Sequence, residues 1–186
     1  MKPIAEMTMP ELAAYVCAAL EAEGIETVLS GGCCVEIYSS GRYTSDDIDL
    51  IDRFNGGHRR IKRIMNNLGF REHNIRRYFI HEETGYFIEF PRGPLGVGDE
   101  PVEEIARRDY CTGSLKLLTP TDCVKDRLAA FYHWDDLQSL EQAVWVAQAH
   151  DIEWKKVERW SLQEGAIDKF SRFQSLVESC QDGRLE

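Results

Sequence analysis

Apolar residues recur with two different periods along this chain, and the change of period divides it. Leu12, Tyr15, Val16, Ala19 and Leu20 lie three and four apart, the spacing of one helix face. Thr8-Met9-Pro10-Glu11 before them has the spacing of a capping box with Pro in the first turn, and Gly24 fits the position past the last turn. A helix over 9–23 is expected. Glu26 to Ser30 reads as a short strand that runs into Gly31-Gly32, and residues 33–39 as a short helix stopped by Gly41. From Asp46 to Ile51 the period falls to two: Asp47 and Asp49 share one strand face, Ile48 and Leu50 the other. Ile61, Ile64, Met65 and Leu68 form the inner face of an amphipathic helix over 57–68.

Residues 77–81 and 86–90 read as a hairpin turned by Glu82-Glu83-Thr84-Gly85. The Gly- and Pro-rich run 91–98 reads as a loop, 103–110 fits neither period, and 115–118 is an expected strand. From Thr119 the pattern turns wholly helical. Thr119 has the character of an N-cap, Pro120 of the first helical residue, and Val124, Leu128, Phe131 and Tyr132 follow at helical spacing. Further helices are expected at 136–149, 153–164 and 166–180. The fold class is therefore α/β (α+β): a mixed sheet flanked by helices over 1–118, then a C-terminal helical region over 119–186 packed on it.

Composition narrows the class. With 186 residues, 43% hydrophobic and 29% charged, the chain can bury a core without disulfides, which excludes disorder as the main state. Its six cysteines make no Cys-x-x-Cys pair and have no His at zinc-ligand spacing. They read as small core residues of a reduced, cytoplasmic protein. Cys33 and Cys34 lie at a helix start, where a thiolate would be stabilised, but packing under the glycine turn is the favoured reading. No His-x-x-x-His pair supports a zinc hydrolase. Glu6, Pro10 and Glu11 interrupt any signal segment, no apolar run approaches a membrane span, and Trp134, Trp145, Trp154 and Trp160 are expected as core or interface anchors.

Net charge is -10, yet Arg53 to Arg77 holds eight Lys or Arg and one acid, Glu72, a local +7 against -17 elsewhere. That run is either a solvated helix face or a basic wall facing phosphates. The chemistry-bearing stretch is Ser30-Gly31-Gly32 … Asp47-Ile48-Asp49. Two carboxylates on one strand face repel each other and add nothing to a core. A cation is the simplest compensation, and Mg²⁺ (or Mn²⁺) suits such oxygen ligands and shares its shell with substrate phosphates. Glycines let the backbone approach a phosphate, and N–H groups at the following helix start can bind it.

At these residues the sequence resembles the nucleotidyltransferase superfamily, whose signature is a Gly-Gly or Gly-Ser turn followed by Asp-x-Asp and a third carboxylate on a later strand. The run Gly41-Arg42-Tyr43-Thr44-Ser45-Asp46-Asp47-Ile48-Asp49-Leu50 resembles the branch that includes abortive-infection-type toxins, from whose Arg-x-Thr-x-Asp-Ile-Asp pattern it departs by the extra Asp46. The resemblance implies a nucleotidyltransferase-like sheet, an NTP as substrate, and transfer of its nucleoside monophosphate to an acceptor hydroxyl. It also implies that Asp47 and Asp49 hold the metal, with Glu89 as third carboxylate. Ser30, Gly31 and Gly32 would then bind phosphates, with Arg42 and Thr44 nearby and Lys125 or Arg127 neutralising charge. Glu89 facing solvent is the equally weighted bland reading, and the charges around Lys125 could simply pair along the helix. Asp135 or Asp136 resembles the acid that follows this helix. The basic run points to RNA as acceptor; the acidic remainder points to a cationic small molecule, such as an aminoglycoside, or a protein hydroxyl. A non-catalytic module of the same fold, binding a nucleotide or a partner protein, is the alternative.

Overall fold

Thr8 opens the first helix through its backbone N–H, which donates to Glu11 Oε2 at 2.8 Å, with Pro10 in the first turn. The computed structural model describes residues 2–54, 57–73 and 78–182, and for 180–182 the backbone alone. Arg76, Arg77, the side chain of Cys180 and residues 183–186 therefore lie outside the described residues.

Helix α1 (Met9–Ala22) buries Leu12, Val16 and Leu20 along one face. It leads through Gly24 into strand β1 (Thr27–Ser30), helix α2 (Gly31–Tyr38), strand β2 (Asp47–Asp52) and helix α3 (His58–Asn67). Short strands β3 (Arg71–Glu72), β4 (Tyr78–Ile80) and β5 (Phe87–Glu89) come next. A two-residue pair, β6 (Gly96–Val97) and β7 (Glu100–Pro101), precedes β8 (Ile105–Tyr110) and β9 (Gly113–Leu118). Four helices follow: α4 (Pro120–Trp134), α5 (Leu137–Ala149), α6 (Trp154–Gln163) and α7 (Ile167–Asp182).

Among the described residues the main sheet has seven strands in the order β3-β4-β5-β2-β1-β9-β8. It is mixed: β2 runs antiparallel to β1 and parallel to β5, while β1 runs parallel to β9. The chain is thus a mixed α/β protein. Ile48 and Leu50 on β2, Val28 and Leu29 on β1, and Leu115 and Leu117 on β9 are fully buried in the central strands. Helix α1 packs on β1 and β9, and α2 touches β2, α4 and α5, so α2 couples the sheet to the helical layer.

Among the departures from the pattern-based expectation, three have a clear physical reason. Helix α2 begins at Gly31 rather than 33, because Gly31 turns directly out of the strand at φ +67°. Residues 103–110, which fitted neither period, contain β8, paired with β9 from Ile105↔Leu118 to Tyr110↔Gly113. As the edge of the sheet, β8 leaves Arg107, Arg108 and Asp109 exposed, which hides its alternation. The expected loop at 91–98 contains β6, which two backbone pairs with β7 hold.

The helical layer is centred on Trp160, which is buried, stacks on Tyr132 at 5.4 Å and donates Nε1–H to the Val97 carbonyl at 3.2 Å. Thr119 caps α4 by accepting from Asp122 N at 3.1 Å, and Asp136 caps α5 by accepting from Gln138 N and Ser139 N. At the far end of α4, Lys169 from α7 donates to the carbonyls of Phe131 and Tyr132 and to Asp135 Oδ1 at 2.7 Å. Trp134, by contrast, is 76% exposed and anchors no core. Cys17, Cys33, Cys34 and Cys123 are buried, but Cys111 stands exposed in the β8–β9 turn, 3.2 Å from Glu11 Oε1, because a hairpin turn has no interior to offer it. No described helix is long and apolar enough to cross a membrane.

Candidate functional site

Strand pairing assembles the carboxylates. Asp49 on β2 lies opposite Ser30, the last residue of β1, and on its other side opposite Glu89 of β5. Asp47, two residues earlier on the same face, lies opposite Phe87. The alternation grades their exposure: Asp47 is exposed, while Asp49 and Glu89 are half-buried beside the fully buried Ile48 and Ile88. Three segments far apart in sequence thus meet in one row across the sheet.

The glycine turn closes directly over this row. A β-carbon on Gly31 would stand 2.0 Å from Asp49 Oδ2, and one on Gly32 3.0 Å from Ser45 Oγ. Gly31 also has φ +67°, a left-handed conformation that costs other residues about 1–2 kcal/mol. Only glycine allows a helix to start this close to a carboxylate. Ser30 precedes it as N-cap residue without a side-chain capping bond, and the first-turn N–H groups of a helix lack intrahelical partners and can receive an anion.

The loop entering β2 is fixed by Glu36, whose Oε2 accepts from Ser45 N at 2.7 Å, and by Ser45 Oγ, which donates to the Asp47 carbonyl at 3.1 Å. Thr44 and the extra Asp46 are exposed in that loop. Arg42 reaches the other way, to Gln148 Oε1 on α5 at 2.9 Å. The structure therefore does not bring Arg42 to the carboxylates.

Helix α4 separates its two cations. Lys125 is almost fully buried, donates to Glu100 Oε1 at 2.8 Å and Asp122 Oδ1 at 3.1 Å, and lies 5.9 Å over the Trp160 ring. Two helical positions turn the chain by about 200°, so Lys125 is engaged with β7 and α6 instead of with phosphates. Arg127 takes the opposite side, within the electrostatic reach of Asp49. Its Nε and Nη2 donate to Asp126 Oδ2 at 2.9 and 2.5 Å, and Nη1 to Gln142 Oε1 at 3.5 Å. Asp126 escaped the sequence reading, since an acid next to an Arg in a helix looks like ordinary surface charge. Asp135 pairs with Lys169 and Asp136 is the α5 cap, which accounts for both acids after the helix.

Electrostatically, burial and neighbouring carboxylates outweigh the positive charge at Asp49. Burial, then the Glu89 and Asp126 carboxylates, push Asp49 up to about 6, against the opposing pull of Arg127. Among the described residues no three His, Cys, Asp or Glu side chains converge as a ready-made metal cage. Mg²⁺ needs none, since one or two carboxylates plus substrate phosphates commonly hold it. Asp49, with Asp47 beside it and Glu89 across from it, supplies the hard oxygen donors and the uncompensated negative charge that such an ion fits.

No family model matches the chain, and no curated protein matches it. Among solved structures it is similar to the solution structure of the antibiotic-resistance factor ANT(2'')-Ia, at TM-score 0.49 and 16% identity over 90% of this chain and 94% of that one. It is also similar to the crystal structure of ANT(2'')-Ia in complex with adenylyl-2''-tobramycin, at TM-score 0.48 and 18% identity over 84% and 95% of the two chains. Likeness at this level transfers neither a family nor an activity.

Proposed function

We propose that this chain is a nucleotidyltransferase that moves a nucleoside monophosphate from an NTP to an acceptor hydroxyl. One observation carries the reading: Asp49 stands in register between Ser30 of the glycine turn and Glu89 of a second strand, with Asp47 on the same face. A phosphate-receiving turn and a row of hard carboxylates are then adjacent. The acids have no packing role that would explain them.

The N–H groups after Ser30 bind the outer phosphates through Gly31 and Gly32, and Arg127 offsets their charge. Asp47 and Asp49 would hold the divalent ion. When bound, that ion stabilises the attacking and leaving oxygens of an in-line displacement. Glu89 takes the proton of the acceptor hydroxyl while its oxygen forms a bond to the α-phosphorus. The bond from that phosphorus to the bridging oxygen breaks, and pyrophosphate leaves.

The acceptor we propose is a small molecule. Four cations of the basic run that suggested RNA are paired with acids: Arg53 with Glu26, Lys62 with Glu72, Arg63 with Glu23 and Arg71 with Glu82. A chain of net charge -10 with half the cations of that run paired to acids attracts a polyanion only weakly. The second reading, a non-catalytic nucleotide- or partner-binding module, is favoured by the lack of a preformed three-ligand cage among the described residues.

Calorimetric titration with each of the four nucleoside triphosphates, with and without Mg²⁺, tests the proposal on wild type and Asp47→Ala/Asp49→Ala. Metal-dependent binding that disappears in the variant supports it. Metal-independent binding unaffected by the variant favours the module.

A further inference from the structure

Helices α5 and α7 pack on each other and leave a cavity of about 500 Å³ between them, within the size range of small-molecule sites. Its apolar wall is Leu137, Leu140, Val144 and Trp145 of α5 with Leu176 of α7. Leu137 is 56% and Leu176 38% exposed, and apolar surface left open around a concave site marks a place for a ligand or partner. The guanidiniums of Arg42 and Arg172 line the same cavity, with Glu141 as the one acid of the described lining. Among the described residues neither arginine has a carboxylate within ion-pair distance. Arg42 donates to Gln148 Oε1 at 2.9 Å, and Arg172 lies 5.6 Å over the Phe131 ring. The lining thus sums to one positive charge in a chain of net charge -10. The nitrogen of the Gln148 amide is buried without a hydrogen-bond partner. Turning it toward a new acceptor therefore breaks no bond on that side.

We propose that the cavity between α5 and α7 binds a small amphipathic carboxylate, its apolar tail against Leu140, Val144 and Trp145 and its headgroup on Arg42 and Arg172. Charge selects the class. One surplus positive charge suits a monoanion, and a planar guanidinium fork matches a carboxylate by two parallel bonds. The apolar wall strengthens that pairing by excluding water from one side. The site also gives a role to Arg42, which reaches Gln148 on α5 instead of the carboxylate row. Neither Asp47, Asp49, Glu89 nor Arg127 lines this cavity, so the site stands or falls apart from nucleotidyl transfer.

The test is calorimetric titration of the full chain with octanoate, and with octanol, octylamine and acetate as comparisons. Octanoate is expected to bind saturably, one molecule per chain. Octanol lacks the charge and acetate the tail, so each should bind about tenfold more weakly or worse. Arg42→Gln and Arg172→Gln are exposed changes, and circular dichroism confirms the fold of each. Each should weaken octanoate about tenfold while leaving octanol unchanged, which a loss of fold or of apolar wall would not do. Octanol bound as tightly as octanoate would show an apolar cavity without an anion seat, and octylamine bound more tightly would make Glu141 the anchor. Either outcome overturns the proposal, as does the absence of saturable octanoate binding. Analytical ultracentrifugation of the free chain closes the remaining case. A monomer is expected, and a dimer that Leu137→Glu dissociates would assign the cavity to a second copy and overturn the carboxylate site.

Discussion

Gly31 and Asp49 share a space that admits no side chain on the glycine: its missing β-carbon would lie 2.0 Å from Asp49 Oδ2. Gly31→Ala must therefore displace the carboxylate as well as strain a backbone at φ +67°. A loss of about 2–4 kcal/mol is expected from the left-handed backbone and the clash combined, together with loss of metal-dependent nucleotide binding. Gly41→Ala is the control. Its φ is +84° and nothing lies within 4 Å of the added carbon, so it should cost only the backbone strain of about 1 kcal/mol and leave binding intact. Thermal denaturation and nucleotide titration of the two variants measure the difference.

Asp49→Asn should raise stability and abolish turnover. Its folded-state value of about 6 lies above the ordinary 3.8, so between these the folded chain binds more protons than the unfolded one. The contribution of Asp49 to stability is then greatest below pH 4 and declines as pH rises to about 6, by at most about 3 kcal/mol. The Asn variant lacks this decline. Its denaturation midpoint should match that of wild type in acid and exceed it at pH 7–8. A variant that retains full activity would sink the metal-ligand assignment.

Metal affinity carries the same pH signature with the opposite sense. A cation must displace the proton of Asp49, so Mn²⁺ binding should strengthen about tenfold per pH unit below about 6 and level off above it. A binding curve flat from pH 5 to 7 would show that Asp49 is not the ligand.

Lys125 and Arg127 should separate by phenotype. Lys125 holds Glu100 and Asp122 from an almost dry position, so Lys125→Met should lower stability by about 3 kcal/mol without changing nucleotide affinity. Arg127→Met should weaken nucleotide binding at least tenfold. Equal effects of the two on nucleotide Kd would contradict the division of labour along α4.

Much of this arrangement can be read from the residues because it rests on local rules. Asp47 and Asp49 alternate with Ile48 and Leu50, and the capping residues Thr8 and Thr119 stand where their helices begin. Glu89 is legible as a lone acid in an apolar strand, but its register with Asp49 depends on a parallel pairing that no local signal encodes. Strand β8 is obscured by Arg107, Arg108 and Asp109, since an edge strand need not alternate as an interior one must. The choice between Lys125 and Arg127 is not legible in the sequence for another reason. Glu100, the partner of Lys125, lies 25 positions away from it, and helical geometry shows that Lys125 diverges from Arg127 without showing which of the two faces the carboxylates.

Lys169 closes the carbonyl end of α4 from a helix that begins at Ile167. The helix that delivers Asp126 and Arg127 is therefore finished by a residue made long after it. During synthesis on the ribosome the glycine turn and the acidic strands emerge early, while the terminus of α4 waits for residue 169. A nascent chain halted before that point would carry every proposed ligand yet lack the bonds that close the end of α4. The order of manufacture thus places the closing of α4 after every proposed ligand has been made.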